Sequence, residues 1–159
     1  MILLSMAAAG KLEWMWLGAQ EWGLDRMEEF GARKTAAHLA TGLRGEQAAL
    51  FELRRRGLII VARRWISARV RGDVDLIGWD AGTLCFIEVK TRTARDLNPA
   101  EAEVDEDKRR MLRGLARAYL RTFPESERSA IAVRFDVVSV YLLGGAPEFE
   151  IFAGAFNWR

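Results

Sequence analysis

Apolar and polar positions along the chain alternate with two distinct periods, which predict the element order α, β, β, β, α, β, β. Helical spacing of apolar residues predicts helices over residues 41–56 and 105–121, with Thr41 and Asp105 as N-caps and Gly57 as a stop. Runs of β-branched and apolar residues predict the strands, over residues 58–66, 74–79, 84–91, 131–140 and 149–152. This order is typical of an α/β fold.

The second and third strands form a predicted β-hairpin that carries the main candidate chemistry. The segment from Asp80 to Thr83 is typical of a tight turn, and the register it sets places Asp75 directly opposite Glu88. Side chains alternate along a strand, so Lys90 shares a face with Glu88. Two carboxylates about 5 Å apart repel each other. A bound Mg²⁺ or Mn²⁺ would relieve this repulsion, because hard cations take carboxylate oxygens.

The hairpin therefore predicts a metal site, with Asp75 and Glu88 as ligands and Lys90 placed to hold or polarise a water molecule. Glu46 falls on the inward stripe of the first helix, together with Leu50. It is either a direct or second-shell ligand, or an acid favoured by the helix dipole. The alternative for the hairpin is a solvated face with an ordinary Glu–Lys pair. Apolar residues on both of its faces favour a sheet covered on both sides, where unpaired charges are costly.

Charge is distributed unevenly along the 159 residues. Residues 1–32 carry two basic and five acidic side chains, a net charge of −3. Residues 33–134 carry 21 basic and 14 acidic side chains, a net charge of +7. Nearly all the basic residues are arginine, which binds phosphate bidentately. A polyanionic partner is therefore favoured, nucleic acid first, with a solvated basic surface as the alternative.

The scarcity of cysteine and histidine excludes several kinds of site. Cys85 is the only cysteine, so an intrachain disulfide or a multi-cysteine zinc site is excluded, and a cytoplasmic location is expected. Cys85 is predicted to be a buried small residue, and the only histidine, His38, a surface residue. The sequence contains no glycine-rich phosphate loop and no apolar run long enough to span a bilayer.

Residues 1–34 differ in composition from the remainder and predict a weakly ordered leader. A short amphipathic helix and a misassigned translation start are the alternatives for this segment. A Trp-rich interaction segment is a further interpretation, in which the chain acts as an interaction protein. The folded domain is expected over residues 35–159.

Six motifs occur in an order that resembles the YraN family, uncharacterised bacterial proteins grouped with restriction-endonuclease-like nucleases and similar to archaeal Holliday-junction resolvases. These motifs are Gly45-Glu46, Arg63-Arg64, Gly72 to Ile77, Phe86 to Arg92, Lys108 to Arg110, and, closing the order, Arg134 to Val138. The resemblance covers about residues 38–153. It implies a restriction-endonuclease-like αβββαβ core, with a mixed β-sheet flanked by helices, and it makes residues 35–159 a nuclease-like domain.

The resemblance also implies site residues. Asp75, Glu88, Glu46 and the carbonyl of Val89 would bind Mg²⁺ or Mn²⁺, and Lys90 would position the water. Together with the basic composition, it suggests nucleic-acid contacts from four residues: Arg64, Arg92, Lys108 and Arg109. The expected function is a metal-dependent nuclease acting on DNA rather than RNA, branched DNA included. The alternative is a catalytically silent nucleic-acid-binding module in repair, recombination or uptake. Two-fold junctions as substrates would favour a homodimer.

Overall fold

The computed structural model describes residues 34–95 and 104–158. The predicted leader and most of the loop that follows the third strand lie outside the described residues. The sheet belongs to a compact unit that begins at Gly42. In the described part of the chain, no helix combines the length and the apolar character that crossing a bilayer requires.

Two main helices, one short helix and five strands make up the described fold. In chain order they are α1 (Lys34–Arg55), β1 (Ile59–Ser67), β2 (Val70–Asp80), β3 (Thr83–Arg92), α2 (Glu106–Leu120), α3 (Glu125–Arg128), β4 (Ala132–Tyr141) and β5 (Glu148–Phe156). The strands form one sheet in sequence order, in which β3 and β4 are parallel and all other neighbours antiparallel. This mixed sheet with helices on both sides confirms the predicted fold class and is consistent with a restriction-endonuclease-like core. The sequence pattern does not predict the one-turn helix α3.

The hairpin of β2 and β3 has the predicted turn and register. Its two central turn residues, Ala81 and Gly82, have φ angles of 44° and 89°, as the common two-residue hairpin turn requires. From this turn the predicted pairing continues as far as Leu76 and Ile87, where the ladder between the two strands ends. Local turn chemistry therefore sets the register that brings the acidic positions of both strands to the same end of the hairpin.

Helix α1 begins earlier than predicted and ends where predicted. Thr41 is not its N-cap, because the helix already begins at Lys34 and the intervening alanines and leucine favour helix. At its other end, Gly57 has a φ of 98°, and the N–H of Leu58 donates to the carbonyl of Leu53. This is the Schellman arrangement that a glycine after the last helical turn allows.

The inward face of α1 is narrower than its apolar pattern predicts. Leu50 and Leu53 are buried, whereas Leu43 is 43% exposed. The closest approach to the sheet is made by Gly45, where an added Cβ would lie 1.8 Å from the hydroxyl oxygen of Thr91. Only a residue without a side chain fits at this crossing, and it holds the next residue, Glu46, against the sheet.

Helix α2 packs on the opposite face of the sheet, over an aromatic core. The ring of Phe86 on β3 lies 5.8 Å from that of Tyr119 on α2 and 5.8 Å from that of Phe135 on β4. Residues of β3 are buried on both faces, as expected for a covered sheet. Cys85 is fully buried, and burial raises the pKa of its thiol to about 12. His38 is exposed as predicted.

Two glycines of α1 provide a matched test of the helix–sheet contact. Gly45→Ala should lower the free energy of unfolding by about 1–3 kcal/mol, since the new methyl group must displace Thr91. Gly42→Ala should raise it by roughly 0.5–1 kcal/mol, because a Cβ there meets nothing within 4 Å and alanine favours helix. Urea denaturation of both variants measures the two effects. Equal changes in the two variants would contradict the proposed close contact.

Candidate active site

The two predicted metal ligands lie where β2 and β3 separate. Asp75 and Glu88 would form the next pair of the β2–β3 ladder, but the ladder ends one pair earlier. Beyond that point β2 remains paired with β1 as far as Val70. The Oδ2 atom of Asp75 instead accepts a hydrogen bond from the backbone N–H of Val89 at 2.7 Å. The two acids therefore flank a fork in the sheet and do not form a hydrogen-bonded strand pair.

Glu88 is a buried carboxylate held between two lysines. It is 4% exposed, its Oε1 lies 3.1 Å from Nζ of Lys90 and its Oε2 lies 2.9 Å from Nζ of Lys108. The Oε2 contact is ionic only, since that atom receives no hydrogen bond. Both lysine side chains are about one quarter exposed, at 27% and 26%. The lysines thus connect a buried negative charge with solvent.

The second lysine reaches Glu88 because of the way helix α2 begins. Asp105 is the N-cap, as predicted, and its Oδ1 accepts a hydrogen bond from the N–H of Lys108 at 2.8 Å. Lys108 follows Asp105 by three residues, so it lies in the first turn of α2 on the side that faces β3. The sequence predicts Lys108 as a nucleic-acid contact, but it does not predict the pairing with Glu88.

Glu46, on α1, lies near the acids of the hairpin. One arginine, Arg64, lies close to both Glu46 and Asp73. The Nε atom of Arg64 lies 3.8 Å from Oε2 of Glu46 and 3.7 Å from Oδ2 of Asp73. Burial raises the pKa of Glu46, and the charge of Arg64 partly opposes this rise. Asp73 is not among the predicted site residues, although its position two residues before Asp75 on the same strand is a signal that would have found it.

Burial and crowding of negative charge act most strongly on Asp75. The pKa of Asp75 is raised to about 7, first by burial and then by the charge of Glu88. The hydrogen bond from the N–H of Val89 and the charge of Lys108 lower this pKa, whereas the charge of Glu46 raises it further. The three carboxylates predicted as ligands therefore lie within electrostatic range of one another.

The donor set fits a hard divalent cation, with part of the coordination left to backbone and water. The described residues contain no group of three or more His, Cys, Asp or Glu side chains close enough to hold a metal ion. Two buried oxygens, Oε2 of Glu46 and Oε2 of Glu88, receive no hydrogen bond. Mg²⁺ usually binds through one or two carboxylates and keeps several waters, so two carboxylates at the fork suffice.

The predicted nucleic-acid contacts differ widely in their surroundings. Arg92 is 8% exposed, and its guanidinium lies 5.9 Å from the centre of the Tyr141 ring. Arg109 is half-buried, donates from Nε to the carbonyl of Val104 at 2.8 Å and lies over Phe156. The side chain of Arg64, by contrast, is 55% exposed. Their roles in nucleic-acid binding stay predictions, with Arg64 the most accessible of these arginines.

Comparison with known proteins identifies relatives over most of the chain. A family model described as "Uncharacterised protein family UPF0102" matches residues 45–140, which include every predicted metal-binding and catalytic residue. A UPF0102 protein of Koribacter versatilis is 50% identical over 119 residues, which cover 75% of this chain and 80% of that protein. A UPF0102 protein of Solibacter usitatus is 44% identical over 112 residues, with coverages of 70% and 82%. One of Rhodococcus opacus is 42% identical over 117 residues, with coverages of 73% and 93%.

The partly buried charge of Asp75 predicts a pH-dependent stability in metal-free protein. Its folded-state pKa of about 7 lies above the ordinary value of 3.8. Stability is therefore lost as pH rises from about 4 to about 7, and the loss then levels off. Asp75→Asn removes the charge but keeps an oxygen that accepts the Val89 N–H. This variant should be more stable than wild type by roughly 1–3 kcal/mol at pH 8 and by much less at pH 4.

Urea denaturation in EDTA at several pH values measures this difference. Asp107→Asn is a matched control, because it removes a carboxylate whose side chain is 89% exposed. It should change the free energy of unfolding by less than about 0.5 kcal/mol at each pH. An Asp75→Asn protein that is less stable than wild type at pH 8 would show that the buried charge is not destabilising.

Proposed function

The chain belongs to the uncharacterised protein family UPF0102, the YraN family, and we propose that it is a divalent-metal-dependent nuclease acting on DNA. The observation that carries the proposal is the buried Glu88, which lies beside Asp75 at the fork of the sheet and between two lysines. Carboxylates can bind a divalent metal and ammonium groups can bind phosphate oxygens, and both are needed for hydrolysis of a phosphodiester. Branched DNA is included among the proposed substrates.

The carboxylates of Asp75 and Glu88 and the carbonyl of Val89 would hold Mg²⁺ or Mn²⁺ directly, and Glu46, from α1, would complete the site through a water molecule, because no three acidic side chains of the described residues lie close enough to share one ion. The bound cation would lower the pKa of a water molecule and offset charge on the phosphate. The crowding that raises the pKa of Asp75 supports this proposal, because a cation relieves the repulsion between the two carboxylates.

The two lysines have separate proposed roles. Lys90 lies on the same strand face as Glu88, with its Nζ 3.1 Å from Oε1, where it would hold a water molecule against the phosphate. Lys108 approaches from α2 and lies 2.9 Å from the other oxygen of Glu88, where it would bind a phosphate oxygen as a compact positive charge. Both side chains are partly exposed, so a polyanion has access to them.

The charge of the domain supports nucleic acid as the substrate. Residues 33–134 carry a net charge of +7, and most of their basic residues are arginine. Several exposed arginines lie on the β1–β2 hairpin next to the acidic cluster: Arg63, Arg64, Arg69 and Arg71. Contacts with the phosphate backbone through such residues weaken steeply with salt. A cytoplasmic location and a homodimer on two-fold substrates are further parts of the proposal.

A catalytically silent nucleic-acid-binding module is the second candidate, and one observation favours it. Both carboxylate oxygens of Glu88 have a lysine ammonium within 3.1 Å, which is an arrangement that neutralises the acid without any cation. In such a module the same basic surface would bind DNA for repair, recombination or uptake, and phosphodiesters would stay intact.

A cleavage panel tests the proposed activity. Full-length protein is incubated with branched, nicked and single-stranded DNA in Mg²⁺ or Mn²⁺. Glu88→Gln should lower the cleavage rate by about 100-fold or more, as expected for loss of one well-placed catalytic group. Excess EDTA should abolish cleavage. Glu52→Gln is the matched control with the same change of charge, since Glu52 pairs with Arg55 and Arg56 at the end of its own helix, away from the site.

The outcomes separate the two candidates. Metal-dependent cleavage by wild type and by Glu52→Gln, with loss in Glu88→Gln, supports the nuclease. Binding of these DNAs without cleavage at any Mg²⁺ or Mn²⁺ concentration supports the silent module. Undiminished cleavage in EDTA would refute the metal-dependent mechanism.

A further inference from the structure

The far half of the β1–β2 hairpin separates from β3 and forms a two-stranded arm, while β3 stays paired with β4 as far as Arg92. We define the arm as residues 63–67 of β1 and 70–75 of β2. Strand β3 pairs with β2 only over Leu76 to Asp80, whereas β1 pairs with β2 along the whole arm. The arm therefore begins at the fork that holds Asp75 and projects away from it.

One face of the arm is fixed to helix α2. The ring of Trp65 contacts that of Tyr119 edge to face at 5.2 Å. An added Cβ at Gly72 would lie 2.1 Å from the sulfur of Met111, so the backbone of β2 also lies directly on the helix. At the tip, the N–H of Arg69 donates to Oγ of Ser67 at 3.2 Å. These contacts make the arm a rigid projection with a defined outer face.

The outer face presents one large apolar side chain among positive charges. Ile66 follows Trp65 and therefore points away from α2; it is 71% exposed and pairs with Asp73. Arg64, Arg69 and Arg71 are exposed on the same hairpin, and Arg64 also lies 3.7 Å from the carboxylate of Asp73. A β-branched side chain is restricted at χ1, so Ile66 loses less conformational freedom on insertion than an unbranched side chain of similar size would.

We infer that this arm binds DNA and that Ile66 is an apolar wedge, which enters the base stack where the duplex is already weakened. Proteins that combine inserted apolar side chains with arginines on the phosphates bend and unstack DNA in this way. The inference rests on the proposed function, because it names the feature of the DNA substrate that is recognised. That feature is an unpaired, mismatched or branched base step, since such a step requires the least free energy to unstack.

The distance between Ile66 and the acidic cluster follows from the strand register. Ile66 pairs with Asp73, and Asp73 precedes Asp75 by two residues. At about 3.3 Å per residue, the wedge lies roughly 7 Å along the arm from the acidic cluster. This distance equals about two base steps of B-DNA at 3.4 Å each. A second copy of the chain is a poorer occupant of the outer face, because pairing two arms would bring their arginines together.

The test measures unstacking in EDTA, so that it is independent of cleavage. Full-length protein is titrated into a duplex with a single-base bulge next to 2-aminopurine, and into the fully paired duplex. Wild type should bind the bulged duplex roughly tenfold more tightly than the paired one and should increase the 2-aminopurine fluorescence. Ile66→Ser should lose most of that preference and the fluorescence increase, while its affinity for the paired duplex changes less than about threefold.

Two further variants serve as controls. Ile59→Ser changes an isoleucine that is 68% exposed on the same strand but outside the arm, and it should behave as wild type. Ile66→Leu keeps the apolar volume and should retain the preference for the bulge. An unchanged bulge preference in Ile66→Ser, or equal losses in Ile59→Ser, would overturn the wedge. Failure of wild type to bind either DNA in EDTA would overturn the wedge, whereas the nuclease is judged separately by the cleavage panel in Mg²⁺ or Mn²⁺. Bulge binding in EDTA without any later cleavage in Mg²⁺ would support the wedge and refute the nuclease alone.

Discussion

The hydrogen bond from the N–H of Val89 to Asp75 is the interaction on which the candidate site depends. When β2 separates from β3, the backbone of β3 loses its neighbour on that side, and a buried N–H without an acceptor costs about 1–3 kcal/mol. The carboxylate of Asp75 supplies the acceptor at 2.7 Å. The same contact therefore allows the sheet to fork and fixes an acidic side chain beside Glu88. An acid that is needed to complete the backbone hydrogen bonds is held in place whether or not any ligand binds.

Two buried carboxylates of this sheet show how differently such groups are accommodated. Asp136 is 2% exposed and accepts hydrogen bonds from the guanidinium of Arg134 and from the N–H of Gly154. These are directed bonds from a planar group and from backbone, which together fix its geometry. Glu88 is 4% exposed, but its close partners are the mobile ammonium groups of two lysines. Lysine is a point charge on a flexible stem, so the partners of Glu88 fix its geometry less strictly than those of Asp136 do.

Sequence reasoning succeeds here where local chemistry decides the structure. The turn at Ala81 and Gly82 sets the hairpin register, and Gly57 ends α1, because both depend on backbone conformations that glycine favours. The predicted start of α1 is wrong, because no residue before Thr41 stops the helix from beginning at Lys34. Sequence reasoning also misses the contact of Lys108 with Glu88, which depends on how α2 packs over β3. The positive φ of Arg64, 45°, has no signal in the sequence, since arginine rarely adopts that conformation.

The position of Glu46 shows how one small residue connects the fold with the chemistry. Gly45 lets α1 approach β3 so closely that a Cβ there would overlap Thr91, and this brings Glu46 within electrostatic range of Asp75 and Glu88. A larger residue at position 45 would move the helix outward and relieve the repulsion among the acids. The close crossing therefore adds to the crowding of negative charge, which is unfavourable for stability alone. The cationic groups that offset this crowding are Arg64 beside Glu46 and the ammonium groups of Lys90 and Lys108 beside Glu88.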